Sequence, residues 1–205
     1  MVSEHAQTEE LIKNTARSIF FQKGLINATT QEIADEAGVN RALIHYYFRS
    51  REQLFDTLLQ DAIQQTRNKV DAIFESDLPF KQKISQYMDV FIDRDIEYPY
   101  IQNFIINKLT KHPEKMKEHF SRKRNDLAKH IMPELKKEIE TGGMAPIEPE
   151  HFVVNLMSMC SYPLIAKPLI QNMFSYDDKT YKNFLKERKK VIYKVLFNEE
   201  LKEQN

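Results

Sequence analysis

Residues 37–51 combine arginines with hydroxyl and imidazole groups, and they include no acidic residue. The side chains concerned are Arg41, His45, Tyr46, Tyr47, Arg49 and Arg51. Arginine and tyrosine donate hydrogen bonds to phosphate oxygens, and arginine can also bind the edge of a guanine. The stretch therefore predicts contacts with nucleic acid. The competing interpretation is a helical hairpin whose aromatic face is buried in a core.

Two short helices are predicted around this stretch. Thr29 and Glu32 have the spacing of a capping box, so a helix is expected to begin there. Gly38 permits a left-handed backbone at the end of that helix, and Asn40 is a suitable N-cap for the next helix. Two short helices joined by a turn around one glycine are typical of the helix-turn-helix motif.

The second of these helices is predicted to have an inner and an outer side. Ile44 and Phe48 are four residues apart, so they should face inward together. The outer side carries Arg41, Ala42, His45 and Tyr46. Tyr46 and Tyr47 are adjacent and point in different directions, which argues against the buried hairpin.

Residues 8–60 resemble the DNA-binding domain of the tetracycline-repressor (TetR/AcrR) family of bacterial regulators. The matching positions are Phe20, Gly24, Thr29, Thr30, Ile33, Ala34, Ala37, Gly38, Val39, Tyr47, Phe48, Arg51 and Leu54. The resemblance implies an all-α protein with an N-terminal three-helix helix-turn-helix head, residues 1–50. It also implies a C-terminal helical bundle, residues 51–205, that dimerises and binds a small-molecule effector.

The resemblance further implies which side chains contact double-stranded DNA. These positions are Thr30, Gln31, Asn40, Arg41, Ala42, Leu43, His45, Tyr46, Tyr47 and Arg51. Arg41 could pair with guanine, and Leu43 could touch a thymine methyl group. Tyr46, Tyr47 and Arg51 match phosphate-contacting positions, and Arg51 replaces the family's usual lysine.

His45 departs from the family pattern, because a tyrosine is usual at this position. A neutral imidazole can donate one hydrogen bond, whereas a protonated one donates two and carries a positive charge. We therefore expect the affinity for DNA to rise as the pH falls through the range in which histidine titrates.

Composition restricts the class of protein further. The chain has 30 basic and 30 acidic residues, so its attraction to DNA must come from a local patch. Its one cysteine, Cys160, excludes an intrachain disulfide and fits a reducing cytoplasm. No apolar run approaches about 18 residues, so no membrane span is predicted. The polar, acidic N-terminus does not resemble a signal peptide.

The remaining sequence also predicts helices. Residues 1–7 are expected to be a loose tail before a first helix that begins near Thr8. The further helices are expected at about 51–76, 80–97, 101–109, 114–141, 150–172 and 177–197. Pro133, Pro163 and Pro168 fall inside two of them and predict kinks or breaks. In the TetR family the last two long helices form the dimer interface with their copies.

Apolar and soft side chains of the second domain could line an effector pocket between helices. The candidate effector-binding residues are Tyr87, Phe91, Arg94, Phe104, Met157 and Cys160. The alternative for the aromatic and sulfur-containing members is ordinary core packing. Helix rotation, which the sequence leaves open, decides between the two.

No catalytic or cofactor-binding motif is present, and no metal site is predicted. His112 and His119 are seven residues apart, but Pro113 disrupts their register. Together with these observations, the resemblance to the TetR family implies a cytoplasmic, ligand-responsive regulator, most simply a repressor that binds a palindromic operator as a homodimer. A constitutive DNA-binding regulator or activator without an effector switch is the alternative. An α-helical enzyme is a third, which no motif supports.

Overall fold

A computed structural model describes residues 4–111 and 126–201, and every regular element in these ranges is a helix. The α-helices are α1 (Glu4–Arg17), α2 (Thr30–Ala37), α3 (Arg41–Phe48), α4 (Arg51–Glu75), α5 (Phe80–Glu97), α6 (Ile101–Lys111), α7 (Asp126–Glu140), α8 (Pro149–Ile165), α9 (Lys167–Phe174) and α10 (Asp178–Phe197). A π-helical turn, Ser18–Gln22, extends α1. The predicted all-α fold is confirmed.

The first of two hydrophobic cores joins α1, the π-helical turn, α2, α3 and the first half of α4. Its buried side chains include Ile12, Phe20, Ile33, Ile44 and Leu58. These residues come from short helices that could not bury an apolar face alone. Their shared core therefore fixes the orientation of α3 relative to α1 and α4.

A second core lies among α4, α5, α7, α8, α9 and α10. Tyr87 and Met88 of α5, Phe152 and Leu156 of α8, and Ile192 of α10 are buried there. The helices predicted at 80–97, 150–172 and 177–197 supply most of this core.

Helix α4 belongs to both cores. Leu54, Leu58 and Leu59 are buried in the first, and Val70 and Phe74 are buried in the second. A domain boundary between residues 50 and 51 remains our proposal. With that boundary, the start of α4 belongs to the second domain in sequence but packs in the core of the head.

Helix α6 also reaches the first core. Ile101 is fully buried among head residues, and Phe104 packs against Phe21 and Phe55 with ring centroids 6.0 and 5.5 Å apart. The amide of Tyr100 donates to the carbonyl of Phe21 at 3.2 Å. Helix α6 therefore provides a second contact between the second domain and the head, in addition to α4.

One prediction about helix ends needs correction. Helix α1 begins at Glu4, so the expected loose tail of residues 1–7 is wrong for residues 4–7. These residues have little apolar character, and their helix is supported instead by contacts with α3. The kink predicted within residues 150–172 is confirmed: the chain bends by 72° at Ala166, and Pro168 can start α9 because the first turn of a helix needs no amide donor there.

Within the described ranges, no single helix has the length and apolar composition of a membrane span. The pair α8 and α9 meets those two criteria only when taken together, across a bend of 72°. Pro133 lies inside α7. The first part of the predicted helix 114–141, with His112 and His119, lies outside the described residues.

Candidate nucleic-acid interface

The connection between α2 and α3 has the predicted capping geometry. Thr29 accepts from the amide of Glu32 at 3.2 Å, and the Glu32 carboxylate accepts from the amide of Thr29 at 2.7 Å. Gly38 ends α2 with φ of 66°, and the Asn40 side chain caps α3 by accepting from the amide of Ala42. These contacts confirm the helix-turn-helix predicted from the sequence.

Helix α3 has the two sides that its sequence predicted. Ile44 and Phe48 are buried, whereas Arg41, Ala42 and His45 are exposed. Tyr46 is 69% exposed, and Leu43 and Tyr47 are partly buried against the first core. The outer side of α3 is thus available to a partner, which excludes the hairpin with a buried aromatic face.

Arg41 is held at the start of α3 by Thr30 of α2. Its Nε donates to the Thr30 hydroxyl at 3.0 Å, and Thr30 is only 8% exposed. Within the described residues, no other partner of the Arg41 guanidinium is found. Its terminal amino groups therefore remain free to bind a base edge or a phosphate, while Thr30 faces Arg41 rather than open solvent.

The other end of α3 is in contact with α1. The Tyr47 hydroxyl donates to the carbonyl of His5 at 3.1 Å and lies 3.1 Å from the His5 Nδ1. The rings of Tyr46 and Tyr47 meet edge to face, with centroids 5.0 Å apart. Desolvation raises the pKa of Tyr47, and the neighbouring Tyr46 and Glu9 add to the effect. Tyr47 therefore keeps its O–H donor at neutral pH.

Three further candidates have partners within the protein. His45 Nδ1 lies 3.0 Å from the carbonyl of Arg49, which leaves its Nε2 unengaged by the described residues. The Gln31 amide donates to Asp35 at 2.7 Å. Arg51 Nε donates to the carbonyl of Ala28 at 2.8 Å.

Arg51 is the least available of the candidates. Its guanidinium also lies over the Phe20 ring, 5.6 Å from the centroid, and approaches the Glu52 carboxylate at 3.3 Å. In this arrangement Arg51 joins α4 to the loop before α2. Its phosphate contact stays a prediction that requires one of its terminal amino groups.

His5 is the residue at this surface that the sequence reasoning missed. The polar composition of residues 1–7 suggested a tail, so no role was assigned to it. Leu11, Ile12 and Ala16 recur at helical spacing, and a helix that starts one turn before Thr8 would include His5. That start would have placed His5 on α1 rather than in a tail.

The predicted effector-binding residues fall into three places. Tyr87, Phe91, Arg94 and Cys160 belong to the second core or border it. Phe104 packs in the first core. Met157 is 48% exposed on the outer side of α8. The structure brings four of the six together and separates the other two from them.

Tyr87 and Phe91 form an aromatic wall beside Arg94. Their ring centroids are 4.6 Å apart, and the Arg94 guanidinium lies 4.9 Å from the centroid of Phe91. Arg94 donates to Asp95 at 2.7 Å and to Gln102 of α6 at 2.9 Å. This group therefore links the second core to the helix that contacts the head.

Two surface cavities lie elsewhere. One, of about 660 Å³, lies between α5 and α10 and is lined by residues such as Gln82, Asp89, Lys189 and Tyr193. The other, of about 350 Å³, lies beside Tyr47 and the start of α4. Neither is lined by a predicted effector residue. Among the described residues, no group of three His, Cys, Asp or Glu side chains is arranged to hold a metal ion.

The exposed outer side of α3 on a helix-turn-helix scaffold defines a DNA-binding transcriptional regulator. Residues 12–58 match the family model described as "Bacterial regulatory proteins, tetR family". A Bacillus subtilis protein, the uncharacterised HTH-type transcriptional regulator YfiR, is 23% identical over 184 residues, covering 87% of this chain and 86% of YfiR.

Two other comparisons agree. The HTH-type transcriptional repressor BepR of Brucella suis is 33% identical over 57 residues, which are 28% of this chain and 27% of BepR. The ketosteroid transcriptional regulator KstR2 of Mycobacterium tuberculosis has the same fold, with a TM-score of 0.70 and 14% identity over 97% of this chain and 98% of KstR2. Residues 12–58 are thus similar to the DNA-binding domain of the TetR family, and the relatives named here are described as transcriptional regulators.

Proposed function

We propose that this protein is a homodimeric repressor that binds a palindromic operator and is released by a small-molecule effector. The observation that carries the DNA-binding part is the exposed outer side of α3, held in place by a capped turn and a closed core. Such a recognition helix fits the major groove, and two copies would lie about 34 Å apart. The site of action would be the cytoplasm, where operator DNA is located.

Arg41 is the residue proposed to bind the edge of a guanine in the major groove. Its Nε is already engaged by Thr30, so the side chain is oriented before DNA binds. Asn40, Ala42 and Leu43 lie at the same end of α3 and would face the adjacent bases. Thr30 would support Arg41 rather than meet the DNA itself.

Contacts with the phosphates of the DNA backbone are proposed for Gln31, His45, Tyr46, Tyr47 and Arg51. His45 and Tyr46 are exposed, and Gln31 lies in the first turn of α2, where amide groups favour an anion. These contacts would set the register of the head on the duplex without reading its sequence.

The homodimer is supported by an exposed apolar strip on two adjacent helices. Its members are Val154, Met157 and Tyr162 of α8 and Val191 and Val195 of α10, each at least 48% exposed. Helices α8 and α10 pack together, and the Tyr181 hydroxyl donates to the carbonyl of Pro163 across them. Apolar groups gathered on one surface favour burial against a partner.

Effector release is supported by the link between the second core and α6. Arg94 bonds both Asp95 and Gln102, and α6 begins one residue earlier with Ile101, which is buried in the head. A ligand that displaces Arg94 would change how α6 packs against the head. It would therefore change the spacing of the two heads. The ligand can shift the equilibrium between the two arrangements of the heads by no more than the difference between its binding free energies for them.

The proposal can be tested with genomic fragments from the organism that encodes the chain. Purified protein would be used to capture fragments, and the captured promoters would be transcribed in vitro with and without the protein. We expect enriched promoters whose transcription falls when protein is added. A small-molecule extract of the same cells should restore transcription.

Other outcomes distinguish the alternatives. A rise in transcription would indicate an activator, and repression that no extract relieves would indicate a constitutive regulator. Fragments captured without enrichment of any sequence would contradict sequence-specific DNA binding.

A further inference from the structure

The turn that joins α3 to α4 has a strained backbone at Arg49. This residue has φ of 60° and ψ of −42°, and around it the amide of Ser50 donates to the carbonyl of Phe48 at 2.6 Å. A hydrogen bond between residues two apart, with a positive φ between them, defines a rare and strained γ-turn. A residue other than glycine keeps such a backbone only where neighbouring contacts hold it there.

The ring of His45 provides such a contact. Its Nδ1 lies 3.0 Å from the carbonyl oxygen of Arg49, and the amide of Arg49 donates to the carbonyl of His45 at 3.0 Å. A carbonyl oxygen only accepts hydrogen bonds, so the proton of the bond to the ring must be on Nδ1. The turn therefore fixes neutral His45 in the tautomer that carries its proton on Nδ1.

In this tautomer, the outward nitrogen of neutral His45 is an acceptor. The side chain is exposed, and its Nε2 then has a lone pair and no hydrogen. The oxygens of a DNA phosphate are also acceptors, so neutral His45 cannot form a hydrogen bond with a phosphate. Only the imidazolium form can donate to a phosphate from Nε2 and still donate to Arg49 from Nδ1.

The described residues supply no negative charge that pairs with a protonated His45. In the part of the chain that the structure describes, His45 takes part in no ion pair, and Arg41 and Arg49 flank it one turn away on α3. The other titratable groups at this surface are Tyr46, Tyr47 and His5. The charge that stabilises the imidazolium would therefore have to come from DNA.

The carboxylates of the helices around α3 have partners of their own. These pairs are Glu9 with Lys13, Glu10 with Arg17, Glu32 with Thr29, Asp35 with Gln31, Glu36 with Lys23, Glu52 with Arg51, and Asp56 with Lys108. None of these contacts includes His45.

We propose that the turn at Arg49 couples operator binding to proton uptake, with one proton taken up at His45 of each head. The proton comes from solvent and binds to Nε2, and the new N–H group donates to a phosphate oxygen. The bond between Nδ1 and the Arg49 carbonyl is kept. This inference rests on the proposed function, because it concerns the regulation of the same DNA contact.

The direction of the pH effect follows from the protons bound in each state. Where free His45 is neutral, the operator complex holds one more proton per head than the free protein does, so affinity falls as the pH rises. Each proton corresponds to about a tenfold change in affinity per pH unit. The dependence ends at low pH, where His45 is already protonated before DNA binds.

The tautomer is tested by NMR on the isotope-labelled full chain without DNA, at a pH above the range in which histidine titrates. Long-range correlations within the ring identify which nitrogen carries the proton. We expect the proton of neutral His45 on Nδ1 and none on Nε2. The spectrum of His45→Gln, which lacks these signals, assigns them.

Proton uptake is tested by isothermal titration calorimetry with an inverted-repeat duplex enriched from a random DNA pool. The titration is repeated at one neutral pH in buffers that differ in ionisation enthalpy. The binding enthalpy should change with the buffer, with a slope that approaches about one proton per head. His45→Gln should lose this slope, and His5→Gln should keep it.

Two further comparisons separate a missing donor from a missing charge. The amide of Gln in His45→Gln reaches about as far as Nε2 and donates without a proton. The amide of Asn in His45→Asn reaches only as far as Nδ1, so it can support Arg49 but cannot reach the phosphate. Above the titration range, His45→Gln should bind the duplex roughly twofold to tenfold more tightly than both His45→Asn and the unmodified protein. Below that range, the unmodified protein should bind most tightly.

The inference is overturned if neutral His45 carries its proton on Nε2, or if His45→Gln keeps the dependence of the binding enthalpy on the buffer. It is also overturned if His45→Gln binds no more tightly than His45→Asn above the titration range. Operator binding without proton uptake would contradict the coupling and leave the proposed function in place. Failure of the unmodified protein and of every variant to bind any duplex, at either pH, would contradict the proposed function and the coupling with it.

Discussion

At the scale of single residues, the proposed recognition of DNA would depend on which side-chain atoms remain free on the outer side of α3. Arg41 is oriented by Thr30 but keeps its terminal amino groups, and His45 keeps its Nε2. Arg51 is largely engaged by Ala28 and Phe20. The sequence indicated which residues lie on the outer side, because helical spacing fixes that. It did not indicate the internal partners of Arg41 and Arg51, which come from tertiary packing.

Arg41→Ala should weaken operator binding by about 1–3 kcal/mol and relax specificity at one base position. The reason is that the proposed bidentate arginine–guanine contact would be lost while α3 remains capped by Asn40. The measurement is titration of an operator and its single-base variants with both proteins. An equal loss on every sequence would show that Arg41 holds a phosphate instead.

His45→Gln should abolish a rise in operator affinity as the pH is lowered from about 8 to about 5, the range in which histidines change charge. Protonation adds a positive charge and a second donor on the exposed Nε2. His5→Gln is a matched control, since His5 also lies near this surface. Fluorescence anisotropy across the pH range would measure the effect. The same pH dependence in His45→Gln would contradict it.

At the scale of elements, the fold is fixed by helix ends and by the junction of α6 with the head. The capping box at Thr29, the glycine turn at Gly38 and the cap at Asn40 could be predicted because they use neighbours in sequence. The start of α1 and the packing of Phe104 against Phe21 and Phe55 could not. Both depend on contacts between residues that are far apart in the chain, such as His5 with Tyr47.

Two glycines with similar backbones provide a test of the α6 junction. Gly24 and Gly38 have φ of 72° and 66°. A Cβ on Gly24 would lie 2.9 Å from the Tyr100 ring, whereas a Cβ on Gly38 would meet nothing within 4 Å. Alanine at either position therefore incurs the cost of a left-handed backbone, about 1–2 kcal/mol per residue. Only alanine at position 24 must also displace Tyr100.

Gly24→Ala should thus reduce the free energy of unfolding more than Gly38→Ala does. Because Tyr100 precedes the buried Ile101, the change should also loosen the contact between α6 and the head. Urea unfolding gives the stabilities, and hydrogen exchange of the α6 amides reports the contact. Equal losses in the two variants would mean that the approach of Tyr100 contributes nothing.

At the scale of the whole molecule, α4 belongs to both cores, α6 packs in the first, and α8 and α10 expose apolar side chains such as Val154 and Val195. Before the structure, only the family resemblance pointed to a dimer interface, on the last two long helices. The structure gives these helices a buried side, with Leu156 and Ile192, and an exposed side, with Val154 and Val195. Rotation about each helix axis decides this division, so sequence alone could not settle it.

Val195→Glu should halve the mass of the protein in solution if the exposed side is the dimer interface. Val195 is 65% exposed, so the substitution should cost little stability within one chain. Leu25→Glu is the control, because Leu25 is an exposed apolar residue of the head. Light scattering coupled to size-exclusion chromatography gives the mass. A monomeric unmodified protein, or an unchanged mass in Val195→Glu, would contradict the interface.

The measurement that tests the central claim most directly is selection of bound duplexes from a random DNA pool at moderate salt. The protein would first be unfolded and refolded to remove bound ligands. We predict enrichment of an inverted repeat whose half-sites are about one helical turn apart, as a two-fold pair of α3 helices requires. Folded, dimeric protein that enriches no sequence would contradict the account of α3 as a helix that reads DNA.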